Sequence, residues 1–190
     1  TGIDMADTIG GITDPEVNKE AVTLLGKEFP LWLGHAVDIS EETDGRLRVT
    51  AGENSVLVDK VLASLGRRPN IDRLGLDKLG IEFDSSGIPE YNPNNMQVGD
   101  LPIFLAGDVN ADRPILHEAG DEGKIAGYNA AHHEVTAFKR KTPLAIVFCD
   151  PNIISVGKRF ADLDPDTSVI GETKIAPVGR ALIMAKNRGV

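Results

Sequence analysis

An α/β fold is predicted by two observations and a composition that permits it. The first observation is the stretch 101–127, LPIFLAGDVNADRPILHEAGDEGKIAG, where an apolar run, a polar turn and a small-residue helix follow one another without spare residues. Ile103, Phe104, Leu105 and Ala106 suit a strand buried on both faces, and Gly107-Asp108 ends it. The second is the set of strand-like runs, hairpin signals and helix starts on either side of that stretch. With 41% hydrophobic and 26% charged residues, the 190-residue chain can bury a core. Its length allows one large domain or parts of two.

Residues 1–11 show no periodicity, and no strand with a glycine turn opens the chain. Neither G-x-G-x-x-G nor a single G-x-G occurs. Thr13-Asp14-Pro15-Glu16 is a helix start, with Pro and Glu in the first turn, and Val17, Ala21, Leu24 and Leu25 give that helix one apolar face. Residues 36–39 and 47–49 alternate about Asp44-Gly45, a hairpin signal. A buried strand is expected over 56–63, leading into Ser64-Leu65-Gly66-Arg67-Arg68-Pro69-Asn70. Residues 71–100 are rich in Gly, Pro, Asn and Asp, so turns and short surface strands are expected.

In the central stretch, Asp108 stands at the carboxyl end of its strand, where open α/β sheets bind ligands, and its carboxylate can accept two hydrogen bonds from a sugar-like diol. Capping of a turn or helix would use the same residue. Asp112 is expected to cap the next helix and Pro114 to occupy its first turn. On that helix Ile115, Ala119, Gly123, Ala126 and Ala130 share one face, nearly bare of side chains, which allows close approach of a sheet or a flat cofactor. Its N-terminus suits an anion. Gly120, Gly123 and Gly127 each cost a helix about 1 kcal/mol relative to Ala, which close approach would offset. His132 and His133 end the helix, where their charged forms favour the dipole.

Pro143 marks a boundary. Beyond it, 144–149 is strand-like, with Cys149 read as a buried thiol, and 168–175 and 180–185 are two further strand-like runs. A single cysteine allows no internal disulfide, and the four histidines show no zinc-ligand spacing, so no metal is expected. A net charge of −9 and a pI near 4.9 argue against nucleic-acid and anionic-membrane partners. The one basic run, Lys139-Arg140-Lys141, reads as a solvated loop. No apolar stretch approaches the ~20 residues of a transmembrane helix and no signal peptide is visible, so a cytoplasmic location is expected.

The string IFLAGDV followed by LHEAGDEG and a small-residue helix resembles the second flavin-binding signature of the pyridine nucleotide-disulfide oxidoreductases, the family of dihydrolipoamide dehydrogenase, glutathione reductase and mercuric reductase. The resemblance implies that Gly107 and Asp108 form the FAD turn, with Asp108 on the ribityl chain. It also implies that backbone at Leu116, His117 and Ala119 lies near the flavin ring. The family commonly has Ala-His where this chain has Leu116-His117. Further matches are TIGGITDPEV, ASLGRRPN and LAIVFCDPNIISVG. They imply that Gly66 and Arg67 lie where the chain leaves the NAD domain beside the nicotinamide cleft, and that backbone at Ala36 meets adenine.

The implied fold is α/β, with parts of two Rossmann-like nucleotide-binding domains, for NAD and FAD, followed by the start of an α+β dimerisation domain. Residues 1–70 would be the C-terminal half of the NAD(P)-binding domain, 71–142 the return segment of the FAD domain, and 143–190 the beginning of the interface domain. The implied cofactors are FAD and NAD(P), and the implied partners a second copy of the chain and a thiol or small-molecule electron acceptor. The family also requires two glycine fingerprints, a redox dithiol and a His-Glu pair. None of these is in the sequence, so no catalytic residue is assigned, His117 included, and an internal segment of a longer enzyme is expected. The alternative is a truncated, catalytically inactive flavoprotein fragment or nucleotide-binding module.

Overall fold

A computed structural model describes all 190 residues. The chain divides into two compact units, one formed by residues 1–63 and 144–190 and the other by 64–143. No helix in either is long and apolar enough to cross a membrane.

The first unit opens with a parallel pair: β1 (Gly2–Asp4) lies beside β2 (Leu31–Leu33), joined through the helix α1 (Pro15–Leu25). A strand here was not expected, because three residues are too few to display a period of two. The start of α1 is as the sequence indicates. Asp14 is the N-cap, its Oδ1 accepting from the amides of Glu16 at 2.9 Å and Val17 at 3.1 Å, and Pro15 takes the position that has no donor to waste. Leu24 carries the apolar face into the interior.

An antiparallel sheet follows, with β3 (Val37–Glu41), β4 (Leu47–Ala51) and β5 (Asn54–Val58) in that order. Its first turn is the Asp44-Gly45 hairpin. Gly45 has φ +82°, and Asp44 accepts from the Arg46 amide at 3.1 Å. The expected strand over 56–63 stops at Val58 for a geometric reason. Val58 pairs with Leu47, the first residue of β4, and there is no partner beyond it. Leu62 is consequently 91% exposed.

In the same unit β6 (Leu144–Val147) and β7 (Ile153–Val156) pair antiparallel around Pro151. Cys149, expected to be buried, is half-buried in that turn with its Sγ 3.1 Å from the Pro151 carbonyl oxygen. The two later strand-like runs are not strands. Residues 168–175 have no regular structure, and Gly179–Ile183 is a short helix in which Leu182 donates to Val178 and Met184 to Arg180. The apolar run 181–184 never alternates with polar residues, so nothing in it favoured a strand over a helix.

The second unit holds its core in a segment that reads as surface turns. Ile71, Leu76, Ile88, Val98 and Leu105 form one buried cluster, joined by Ile81, Tyr91, Ile103 and Val109, and Met96 is fully buried. Isolated bridges replace strands: Phe83 with Pro89, Tyr91 with Val98, and Gln97 with Phe104. The anticipated strand over 103–106 is thus one bridge plus the Leu105 amide donating to Met96 at 2.8 Å. One apolar side chain from each of several turns closes the core without any ladder. The unit's helix, α2 (Leu116–Ala130), is its only long regular element.

Tyr91 gives this core a measurable signature. Burial, aided by the charges of Asp112 and Glu122, pushes its phenol up to about 12. The folded state therefore favours the neutral phenol. The stability this contributes is complete below the ordinary phenol value near 10 and is lost as pH rises from about 10 to about 12. Of the two tyrosines, Tyr91 should show the late step in tyrosinate absorbance on alkaline titration, and Tyr91→Phe should remove it. A Tyr91 step near pH 10 would contradict its burial.

Candidate functional site

The Gly-Asp turn and the start of α2 form a single construction in the second unit. Ala106 is extended, Gly107 turns the chain at φ +79°, and Gly107–Asn110 makes one turn of 3-10 helix. Ala111, at φ +52°, ends it. A Cβ on Gly107 would stand 3.2 Å from the Cβ of Ala119, so both its conformation and its proximity to the helix demand glycine. Gly107→Ala should lower stability by about 1–2 kcal/mol. By contrast, a Cβ on Gly123 would meet nothing within 4 Å. Gly123→Ala should raise stability by about 0.5–1 kcal/mol, and urea midpoints of the two variants should move in opposite directions.

The helix begins at Leu116, two residues after Pro114, with Ile115 at the N-cap position and no side chain capping it. Asp112, expected to cap, is instead turned back. Its amide donates to Asn110 Oδ1 at 3.1 Å and its carboxylate faces Arg113 Nε at 3.6 Å. The N-cap position of α2 thus makes no side-chain hydrogen bond, and the one acidic residue of its first turn, Glu118, turns to Arg140 and Arg113. Leu116, the first helical residue, is 89% exposed.

Asp108 points outward from the turn and is half exposed. Its Oδ2 lies 2.5 Å from Arg67 Nη1, and Arg67 Nη2 donates to the Pro114 carbonyl at 2.8 Å. Two residues 41 positions apart in sequence are thus brought together, and Arg67 also ties down the residue that leads into α2. Gly66 adopts φ +87° in open space, so its glycine serves the backbone conformation and not a close contact. Ala36 belongs to the first unit, where it is exposed just before β3.

The buried face of α2 is not the small-residue stripe. Glu118, Glu122 and Asn129 are its buried residues, whereas Gly123 and Ala130 are exposed and Ala119 and Ala126 only half-buried. Glu122, 0% exposed, accepts from the Gly107 amide and from Asn110 Nδ2 on one oxygen, both at 2.7 Å, and from Arg140 at 2.9 Å on the other. Arg140 also donates to Glu118 at 2.8 Å, and Arg113 reaches Glu118 at 3.5 Å. Burial works against the Arg140 cation, but its bonds to Glu122 and Glu118 outweigh it, and the guanidinium is held above its ordinary range.

The basic run 139–141 is accordingly no plain solvated loop: the Arg140 side chain is 12% exposed, and Lys141 pairs with Asp121 at 2.7 Å. That lysine pulls the Asp121 carboxyl below its usual value. A signal for this cluster was present in the sequence. Glu118 and Glu122 are like charges four apart on one helix, a repulsive spacing unless a cation lies between them. At the far end of α2, His132 Nδ1 lies 2.7 Å from the Tyr128 carbonyl and its ring stacks on Tyr128, so it does meet the last-turn carbonyls.

The chain is similar to several known proteins. The chain is 31% identical to dihydrolipoyl dehydrogenase 2 of Haloarcula marismortui, over 96% of this chain and 40% of that protein. It is 28% identical to the dihydrolipoyl dehydrogenase of Chlamydia muridarum, over 98% and 40%. It thus spans about 40% of the length of these relatives. Among solved structures, the HOCl-induced flavoprotein disulfide reductase RclA from Escherichia coli superposes with a TM-score of 0.77 at 20% identity, covering 98% of this chain and 44% of that one. A water-forming NADH oxidase from Lactobacillus brevis superposes at 0.67 and 22% identity, covering 84% and 37%. Residues 3–134, with the Gly107-Asp108 turn and α2 among them, match the family described as pyridine nucleotide-disulphide oxidoreductase, and the chain belongs to that family.

Proposed function

We propose that this chain is part of an FAD-dependent pyridine nucleotide-disulfide oxidoreductase of the dihydrolipoamide dehydrogenase type, and that it supplies the second FAD-binding turn. The observation that carries the reading is the outward carboxylate of Asp108 set beside the uncapped start of α2. The donor set fits the cofactor. A half-exposed carboxylate suits a polyol, helix amides suit the polar edge of a ring or an anion, and Gly107 lets the turn pack close against Ala119 of α2. Relatives bearing the names dihydrolipoyl dehydrogenase and flavoprotein disulfide reductase support it.

In this reading Asp108 accepts from the ribityl hydroxyls. Backbone at Leu116, His117 and Ala119 faces the ring, where exposed Leu116 can shield one side from water. Gly66, Arg67 and Ala36 belong to the NAD(P) side. Arg67 holds one oxygen of Asp108 and so limits the rotation of the carboxylate that receives the polyol. FAD, when bound, takes up or gives the hydride, and the residues of this chain bind and orient. The domain assignment follows: 1–70 from the NAD(P) domain, 71–142 from the FAD domain, 143–190 from a dimerisation domain that would join two copies of the whole protein. A thiol or another small acceptor would be the partner substrate.

The test is FAD binding by the purified chain, followed by visible flavin absorbance after desalting. The native chain should retain flavin. Asp108→Ala should weaken binding tenfold or more, because a hydrogen bond to a charged group is worth about 1.5–3 kcal/mol. A native chain that retains none overturns the half-site reading.

A further inference from the structure

We propose that Glu122 is a positioning residue for the flavin site: its buried carboxylate holds the Gly107–Asn110 turn in the shape that presents Asp108, with Arg140 fixing its other oxygen. The inference rests on the FAD reading above and extends it to a residue that reaches no ligand.

The geometry is specific. Gly107 turns the chain at φ +79°, and no backbone carbonyl accepts its amide. Glu122 Oε2 does, at 2.7 Å, and the same oxygen takes Asn110 Nδ2 at 2.7 Å. One carboxylate oxygen therefore clamps the first and last residues of the turn that carries Asp108. Asn110 passes the constraint on, since its Oδ1 accepts from the Asp112 amide at 3.1 Å and so directs the chain toward Arg113 and the helix.

On the other side, Oε1 is fixed by Arg140 at 2.9 Å, and Arg140 is anchored by Glu118 and by the Pro93 carbonyl at 3.2 Å. The clamp is thus tied to the far wall of the same unit. A merely structural ion pair would need no contact with the turn. Glu122 spends two of its three hydrogen bonds there, and the turn has no other side-chain acceptor for the Gly107 amide. Partners that orient metal ligands change affinity on the order of 10–100-fold when lost, and a group that orients Asp108 is expected to act on the same scale.

The experiment compares two double variants of the full chain that both remove the Glu122–Arg140 ion pair. Glu122→Gln with Arg140→Met leaves a carbonyl oxygen for the Gly107 amide, whereas Glu122→Leu with Arg140→Met leaves none. Both lose the same pairing for Glu118, and far-UV circular dichroism should show both folded, the second melting lower because the Gly107 and Asn110 donors are left without their acceptor. The expected result is FAD affinity within about threefold of native for the first and weaker by roughly tenfold or more for the second.

Equal FAD affinity in the two folded doubles overturns the positioning role while leaving the FAD reading intact. A native chain that retains no flavin overturns the half-site reading on which the proposal rests. If either double fails to fold, the native chain decides by nuclear magnetic resonance. On FAD titration, the Gly107 amide and Glu122 carboxyl signals should move with the same binding curve as Asp108. Movement of Asp108 alone, with Gly107 and Glu122 unchanged, overturns the proposal.

Discussion

Glu122→Ala should cost the chain about 3–5 kcal/mol of stability, the range for removing one member of a buried ion pair. With the carboxylate gone, the Arg140 cation, whose side chain is 12% exposed, keeps only the partly shared Glu118 as an ionic partner. The amide of Gly107 and the side-chain amide of Asn110 also lose their acceptor at buried positions, and an unsatisfied buried donor costs about 1–3 kcal/mol. Glu122→Gln combined with Arg140→Met should lose less than the sum of its single variants, because neither partner of that pair then strands the other, and Glu118 keeps Arg113 at 3.5 Å. Urea denaturation gives all four stabilities. Additivity across that cycle would mean that the two side chains do not act as a pair, contrary to their 2.9 Å contact.

The parts of this architecture that could be read in advance are those written in local chemistry. Asp14-Pro15 announces a helix because a cap and a missing donor act within one turn, and Asp44-Gly45 announces a hairpin because few residues other than glycine accept φ +82° there. Gly107-Asp108 was legible for the same reason. What escaped reading depends on contacts distant in sequence. The core of the second unit draws single residues, Ile71, Leu76, Ile88 and Val98, from separate turns, so no window of sequence carries a period. Composition called that segment a surface because Gly, Asn, Asp and Pro outnumber its apolar residues.

Helix α2 shows the same limit more sharply. Its glycines and alanines suggested a face for close approach, yet the helix buries carboxylates, because Arg140 comes from 18 residues beyond Glu122 to neutralise them. Hydrophobic patterning cannot register a buried face made of charge. The pairing of Arg67 with Asp108 is equally invisible in sequence, although each residue alone had been marked as a candidate for the site.

Asn129 marks a second buried polar joint, and its replacement should cost about 2–4 kcal/mol, the loss expected when several buried backbone groups are left without partners. It is 1% exposed. Its Nδ2 donates to the carbonyls of Asn95 at 2.9 Å and Thr136 at 3.0 Å, and its Oδ1 accepts from the Thr136 amide at 2.8 Å. One side chain therefore joins the end of α2 to the returning segment at Thr136 and to the turn beside fully buried Met96. Asn129→Leu keeps the size and deletes all three bonds. Asn129→Asp keeps the shape and the acceptor but aims a carboxylate oxygen at two carbonyls. Only its protonated form can donate there, so folding raises the pKa of that new carboxyl. The stability of Asn129→Asp should then recover as pH falls toward the ordinary carboxylate range and be lost as pH rises above it. Asn129→Leu should show no such recovery relative to native. Urea midpoints of both variants measured across acidic to neutral pH give the comparison. Parallel pH profiles would mean that the two carbonyls are not held against the side chain, and that the helix end is joined to its neighbours by packing alone.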